Sequence, residues 1–168
     1  VYSRMFQVHM QMPMLLNEGL ADLLRNSQGA HIVALSDIYV ERPLADRAMY
    51  CSTKAGLEVL TKSYAKKLAP LVRCNVLQLG PVEFPVSHSE EYRLQVSRET
   101  LLAAGPGFWP VIQAMDFLSA NAFITGAVIK VDGGRAVNCK LWKARYFGNR
   151  TNTIYDGQMI AEFGFPEA

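Results

Sequence analysis

The sequence predicts an α/β protein whose sheet is parallel and covered by helices. Three observations point there. Short apolar runs of strand length recur, each bounded by polar or turn residues, which is the pattern of strands buried on both faces. Segments with helical apolar spacing separate those runs. Strands joined through helices run parallel by right-handed crossovers.

The elements follow in order. Residues 3–26 carry Met5, Val8, Met12, Leu15, Leu16, Leu20, Leu23 and Leu24 near helical spacing. Pro13 predicts a kink or break inside this run, and Asn26 to Gly29 are a stop signal. Residues 31–36, His-Ile-Val-Ala-Leu-Ser, are the first strand. A loop with Glu41, Arg42, Pro43 and Asp46 leads into a long helix over 47–68, with Ala55, Leu57, Leu60 and Tyr64 as candidate buried positions. Pro70 ends it. Residues 73–79 are the second strand, and Gly80 to Pro85 form a loop. Two helical stretches, 89–103 and 110–119, are separated by Gly105-Pro106-Gly107. Residues 125–131 are the last strand, closed by Asp132-Gly133-Gly134.

A complete dinucleotide-binding α/β fold also needs a strand, a Gly-rich turn and a helix to cradle a diphosphate. No GxGxxG-like segment occurs, and the sequence opens inside a helical pattern. The expected architecture is therefore a Rossmann-like doubly wound parallel sheet lacking its N-terminal strand–Gly-rich turn–helix half. It spans residues 1–137. Residues 138–168, first basic and aromatic, then polar, show no clean period and are expected to be an unassigned C-terminal extension, surface-packed or partly disordered.

Composition narrows the function. The 168 residues are 50% hydrophobic and 19% charged, enough for one domain with a core and unlike a disordered chain. Lys plus Arg number 17 against 15 Asp plus Glu, a net charge of +2 that is too balanced to mark a nucleic-acid or membrane-surface protein. No apolar stretch approaches the roughly 20 residues of a membrane-spanning helix. Cys51, Cys74 and Cys139 form neither a disulfide framework nor a metal knuckle, and no His/Cys/carboxylate cluster has zinc spacing, so no metal is expected. A reducing, cytoplasmic compartment is expected.

The sharpest chemical feature is Tyr50-Cys51-Ser52-Thr53-Lys54. A Tyr and a Lys at i and i+4 share one helix face. A free phenol titrates near pH 10 and is a poor acid at neutral pH. A neighbouring ammonium stabilises the phenolate, which makes the Tyr a usable proton donor. Taken alone the pair also fits a surface Tyr beside a solvated Lys.

Several pieces stand in the same order around that pair. They are Val8-His9 with Pro13, the strand His31 to Asp37, Asn75-Val-Leu-Gln-Leu-Gly80, Thr125-Gly126 and Val131-Asp132-Gly133-Gly134. From about residue 5 to 137 the chain resembles the C-terminal part of a short-chain dehydrogenase/reductase. Asp37 stands 13 positions before Tyr50, where the family has its catalytic serine, and Ser36 stands beside it. An Asp there resembles the pterin-reducing branch, the pteridine reductases. Ser36 to Arg42 and Ala65 to Pro70 look most like the bacterial dihydromonapterin reductases. A second register remains open, with Ser36 doing the serine's work and Asp37 capping the strand.

The resemblance implies an NADPH-dependent reductase that transfers hydride to a C=N bond of a dihydropterin. Asp37, Tyr50 and Lys54 would be catalytic, with Asp37 and Tyr50 binding the pterin. Ser36, Tyr50, Lys54, Gly80, Pro81 and Val82 would contact the cofactor. His9 stands where the family has an Asn, and has two readings: a water-holding group in a proton relay, or a satisfied, partly buried histidine. Met5, Met10, Met12 and Met14 read as core or dimer-face residues. The resemblance also implies a homodimer or homotetramer, with no nucleic-acid or membrane partner. Leu79 replaces the family's Pro before Gly80. Two alternatives stand beside this reading: a general carbonyl or 3-oxoacyl reductase of the same family, and a non-catalytic fragment that only binds.

Overall fold

The computed structural model describes residues 1–102 and 104–138. Contacts gather Val1–Ala136 into one compact unit. Beyond Asn138, the expected C-terminal extension lies outside the described residues.

Three parallel strands form the sheet in the order β1 (His31–Asp37), β2 (Arg73–Leu79), β3 (Val128–Val131). The register pairs Asp37 with Leu79, and Leu79 with Val131, so all three strands end level with one another. The helices are α1 (Tyr2–Phe6), α2 (Met12–Gly19), α3 (Ala21–Arg25), α4 (Ala48–Leu68), α5 (Glu90–Arg98) and α6 (Trp109–Ala120). β2 sits centrally, and its alternate residues divide between two cores. Cys74 packs with Tyr64, Ala65 and Leu68 of α4. Leu77 and Leu79 pack with Val111 and Leu118 of α6. That division is the two-layer cover expected of a doubly wound sheet.

α5 stops at Arg98 rather than running to residue 103, and the elements differ from expectation in three further places. The first helical run is continuous through Pro13, with a π-helical turn over Gln7–Gln11 in front of it. Pro13 has no N–H to return to the carbonyl four residues earlier, and the widened turn absorbs that loss without a break. β1 is less buried than its composition suggests. Within it only Ser36 is fully buried and Leu35 is 42% exposed, because β1 pairs on one side only. β3 starts at Val128 rather than at residue 125. Gly126 takes a positive φ of 71°, which takes the chain out of strand geometry before Val128.

Asn75 secures that approach to β3. It is fully buried. Its Nδ2 donates to the Ile124 carbonyl at 2.9 Å, and its Oδ1 accepts from the Ala127 N–H at 3.0 Å. A side chain thus satisfies backbone groups that the sheet ladder does not. Asn75→Leu keeps the branched heavy-atom skeleton but strands both groups. Its expected cost is about 1–3 kcal/mol of folding stability, read by urea denaturation. A variant as stable as the parent would show those bonds to be dispensable.

Candidate active site

The level C-terminal ends of β1 and β2 open into a cleft of about 120 Å³, lined among others by Asp37, Tyr39, Gly80 and Pro81. In an open parallel sheet this is the edge where ligands bind. β1 delivers Asp37 there, and its two carboxylate oxygens do different work. Oδ1 accepts from the Tyr39 N–H at 2.9 Å and caps the short 3₁₀ turn Ile38–Val40. Oδ2 accepts from the Tyr50 hydroxyl at 2.7 Å. α4 brings Tyr50 to this carboxylate and, one turn later, sends the Lys54 ammonium to the Leu35 carbonyl at 2.9 Å. One such bond leaves Lys54 with further donors for a diol.

His9 joins from the π-helical turn. Its Nδ1 lies 2.9 Å from Thr53 Oγ1, and its ring meets Tyr50 edge-on with centroids 5.7 Å apart. The Thr53 hydroxyl donates to the Tyr50 carbonyl at 2.9 Å. Its one proton is committed there, so it accepts from His9, which puts the imidazole proton on Nδ1 and leaves Nε2 as an acceptor. Burial and the nearby Lys54 charge hold the His9 pKa below its ordinary value, which favours that neutral form.

The expected electrostatics of the pair are reversed. The Tyr50 pKa is not drawn down by Lys54. It is pushed well up, first by burial and then by the hydrogen bond and charge of Asp37. Burial also lowers the Lys54 pKa, with Asp37 acting against that shift. Asp37, within a hydrogen bond of the phenol, outweighs an ammonium turned toward a carbonyl.

Two expected cofactor contacts point elsewhere. Ser36 Oγ donates to Glu58 at 2.7 Å beneath α4 and is 3% exposed, because consecutive strand residues face opposite ways. Its side chain does not reach the cleft. Val82 is buried in the core with Leu77 and Val111, whereas Gly80 and Pro81 line the cleft. Gly80 is confined by its neighbour: an added Cβ would lie 2.6 Å from Asp132 Cα.

The far wall of the cleft is absent from the sequence reading. Phe84, His88 and Tyr92 form it, their rings in contact in series at 6.3 Å and 4.6 Å. Ser89 caps α5 through the Tyr92 N–H at 3.2 Å and so sets where this wall begins. The four-residue spacing of the three rings is the signal that could have found it. Arg135 and Val96 also line the cleft. Among the described residues no group of His, Cys, Asp and Glu converges as a metal site, and no helix is long and apolar enough to cross a membrane.

A family profile described as enoyl-(acyl carrier protein) reductase matches residues 1–136. A dihydromonapterin reductase of Citrobacter koseri is 37% identical over 137 residues, covering 80% of this chain and 57% of that protein. The chain thus spans little more than half the length of such relatives. A crystal structure of FolM alternative dihydrofolate reductase 1 from Brucella canis, complexed with NADP, superposes with a TM-score of 0.71 at 29% identity, over 81% of this chain and 54% of the other. The corresponding Brucella suis protein, also in complex with NADP, gives 0.73 at 28% identity, over 81% and 55%.

The Asp37–Tyr50 contact has a pH signature. With a folded-state pKa raised above the unfolded value near 10, Tyr50 contributes stability that is complete below that pH and is lost as pH rises toward the folded value. Asp37→Asn removes the charge that holds the proton on. The Tyr50 phenol is then expected to titrate at lower pH than in the parent, read as tyrosinate absorbance against a Tyr50→Phe background. An unshifted titration would remove Asp37 as a cause.

Proposed function

The chain belongs to the short-chain dehydrogenase/reductase family, and on that premise we propose that the whole protein reduces a dihydropterin of the 7,8-dihydromonapterin kind to the tetrahydropterin, with NADPH as reductant. The observation that carries this reading is the Tyr50 hydroxyl bonded to the Asp37 carboxylate at the C-terminal end of β1. A ketone presents one acceptor oxygen that develops negative charge, and a carboxylate beside it would repel that charge. A dihydropterin presents N–H donors and a ring nitrogen that must gain a proton. An acceptor paired with a protonated phenol suits the second substrate.

The residues fit the nicotinamide–ribose half of the cofactor. Lys54 has donors to spare for ribose hydroxyls, and Gly80 and Pro81 line the cleft without bulk. NADPH, when bound there, would supply hydride to the carbon of the C=N bond. Tyr50 keeps its proton at neutral pH because burial and Asp37 hold it there, so it is available to the ring nitrogen. Asp37 accepts the pterin's N–H groups and orients the ring. His9, held by Thr53, would take up a solvent proton at Nε2 and pass it through a water to Tyr50. The NADP in the two Brucella structures supports the choice of NADPH over NADH.

We further propose a homodimer or homotetramer in the cytoplasm. Phe6, Val8, Leu15, Leu16 and Leu23 of the first helical run, with Val59 of α4, are exposed apolar side chains, and a two-fold contact would cover them. Sedimentation of the whole protein as a monomer at micromolar concentration would contradict it.

The deciding experiment compares dihydropterin with ketone and 3-oxoacyl substrates in the whole protein and its variants. Tyr50→Phe is expected to lose about 10²- to 10⁴-fold in turnover while still binding cofactor. Asp37→Ser is expected to lose dihydropterin reduction by at least about tenfold, near 1.4 kcal/mol of transition-state binding, with ketone reduction falling less or rising. Intact pterin turnover in Asp37→Ser, together with its loss in Ser36→Ala, would overturn the assignment.

A further inference from the structure

Arg135 is a buried cation that also lines the cleft. Its guanidinium is a fork between elements far apart in sequence. Nη1 donates to the Val96 carbonyl in the last turn of α5 at 3.0 Å, and Nη2 donates to Glu99 Oε2 at 2.6 Å. Tyr39, next but one to Asp37, lines the same cleft as this guanidinium. The backbone that carries Arg135 is fixed from two sides. Arg42 Nη1 donates to the Arg135 and Ala136 carbonyls, both at 3.0 Å. The Asp132 carboxylate accepts from the Gly134 N–H at 2.9 Å and the Ala136 N–H at 2.7 Å. The segment after α5 lies against this turn: Leu102 N–H donates to the Gly133 carbonyl at 2.9 Å, and a Cβ on Gly134 would sit 2.9 Å from Leu101.

We infer that Arg135 is a positioning residue for the substrate side of the cleft, clamping α5, with Tyr92 and Val96, against the Asp37–Tyr39 side. The clamp rests on the reductase reading for what it positions, but not for its own existence. A planar five-donor fork holds a carbonyl and a carboxylate at once, whereas a lysine offers one point charge on a flexible stem. The clamp joins α5 to the segment that Arg42 holds, not to Lys54 or Gly80. It therefore governs substrate affinity and leaves cofactor affinity alone.

The test uses Arg135→Lys and, as a milder change that keeps the arginine, Glu99→Gln, both in the whole protein. KM for the dihydropterin is expected to rise by about tenfold or more in Arg135→Lys and by less in Glu99→Gln, with kcat and NADPH binding within about twofold of the parent. Each variant is also expected to speed hydrogen exchange of the amides of residues 90–102, a readout that needs no substrate. Unchanged exchange in both variants overturns the clamp. So does a parental KM in Arg135→Lys alongside a silent Glu99→Gln, which would show that a positive charge near the substrate suffices without the fork. Should the parent reduce no dihydropterin, the proposed activity fails, and the exchange measurement still decides the clamp.

Discussion

Glu58 leaves α4 one turn beyond Lys54 and places its carboxyl group beneath the sheet, where Oε1 accepts from Ser36 at 2.7 Å and from Gln78 Nε2 at 2.8 Å. It is 6% exposed. A buried carboxyl without partners is costly, and its two donors come one from each strand at the end that carries the cleft. Tyr50, Lys54 and Glu58 thus form one stripe at four-residue spacing. The deepest member anchors the helix to β1 and β2. The middle one bonds the Leu35 carbonyl. The outermost meets Asp37. Ser36 is held under α4 by Glu58, while Asp37, the last residue of β1, bonds Tyr50 at the strand's end.

That chain of contacts explains which parts of the site are legible in the sequence. The Tyr50–Lys54 pair is visible because helical spacing alone puts both on one face. Asp37 is visible only through the family resemblance, which places a catalytic residue 13 positions before the tyrosine. β2 is visible over all of Arg73–Leu79 because it is central and apolar. Ser36 misleads because its partner, Glu58, lies 22 residues away. Nothing local distinguishes a serine that binds a buried carboxyl from one that faces a ligand. Strand alternation is the available clue, since two neighbours in a strand cannot both face the cleft. The start of β3 misleads for a related reason. A side chain from another strand, Asn75, binds the backbone just before it.

The far wall is illegible on a larger scale. Phe84, His88 and Tyr92 lie close in sequence, and their spacing groups them. Their relation to Asp37 cannot be read, since it depends on Arg135, which lies 36 residues from Glu99 and 39 from Val96. Motif patterns capture what one helix or one strand end places together. They do not capture a wall assembled by hydrogen bonds between loops.

The reversed shift of Tyr50 links the geometry to the chemistry. A phenol whose pKa falls beside an ammonium sheds its proton readily and suits a developing alkoxide. Here the phenol donates to a carboxylate at 2.7 Å, and burial and that carboxylate both raise its pKa. Such a phenol resists becoming an anion, so it acts well only when the proton it gives is replaced in the same neighbourhood. Asp37 holds that proton by direct bond, and the neutral His9 meets the ring edge-on. A substrate whose reacting atom is a basic ring nitrogen, and whose edge carries N–H donors, also asks less of the phenol's acidity than a carbonyl does. It meets an acceptor in Asp37 and a retained proton in Tyr50. In the proposed dihydropterin reduction, the carboxylate that makes this tyrosine a weaker acid is the feature that suits a nitrogen heterocycle.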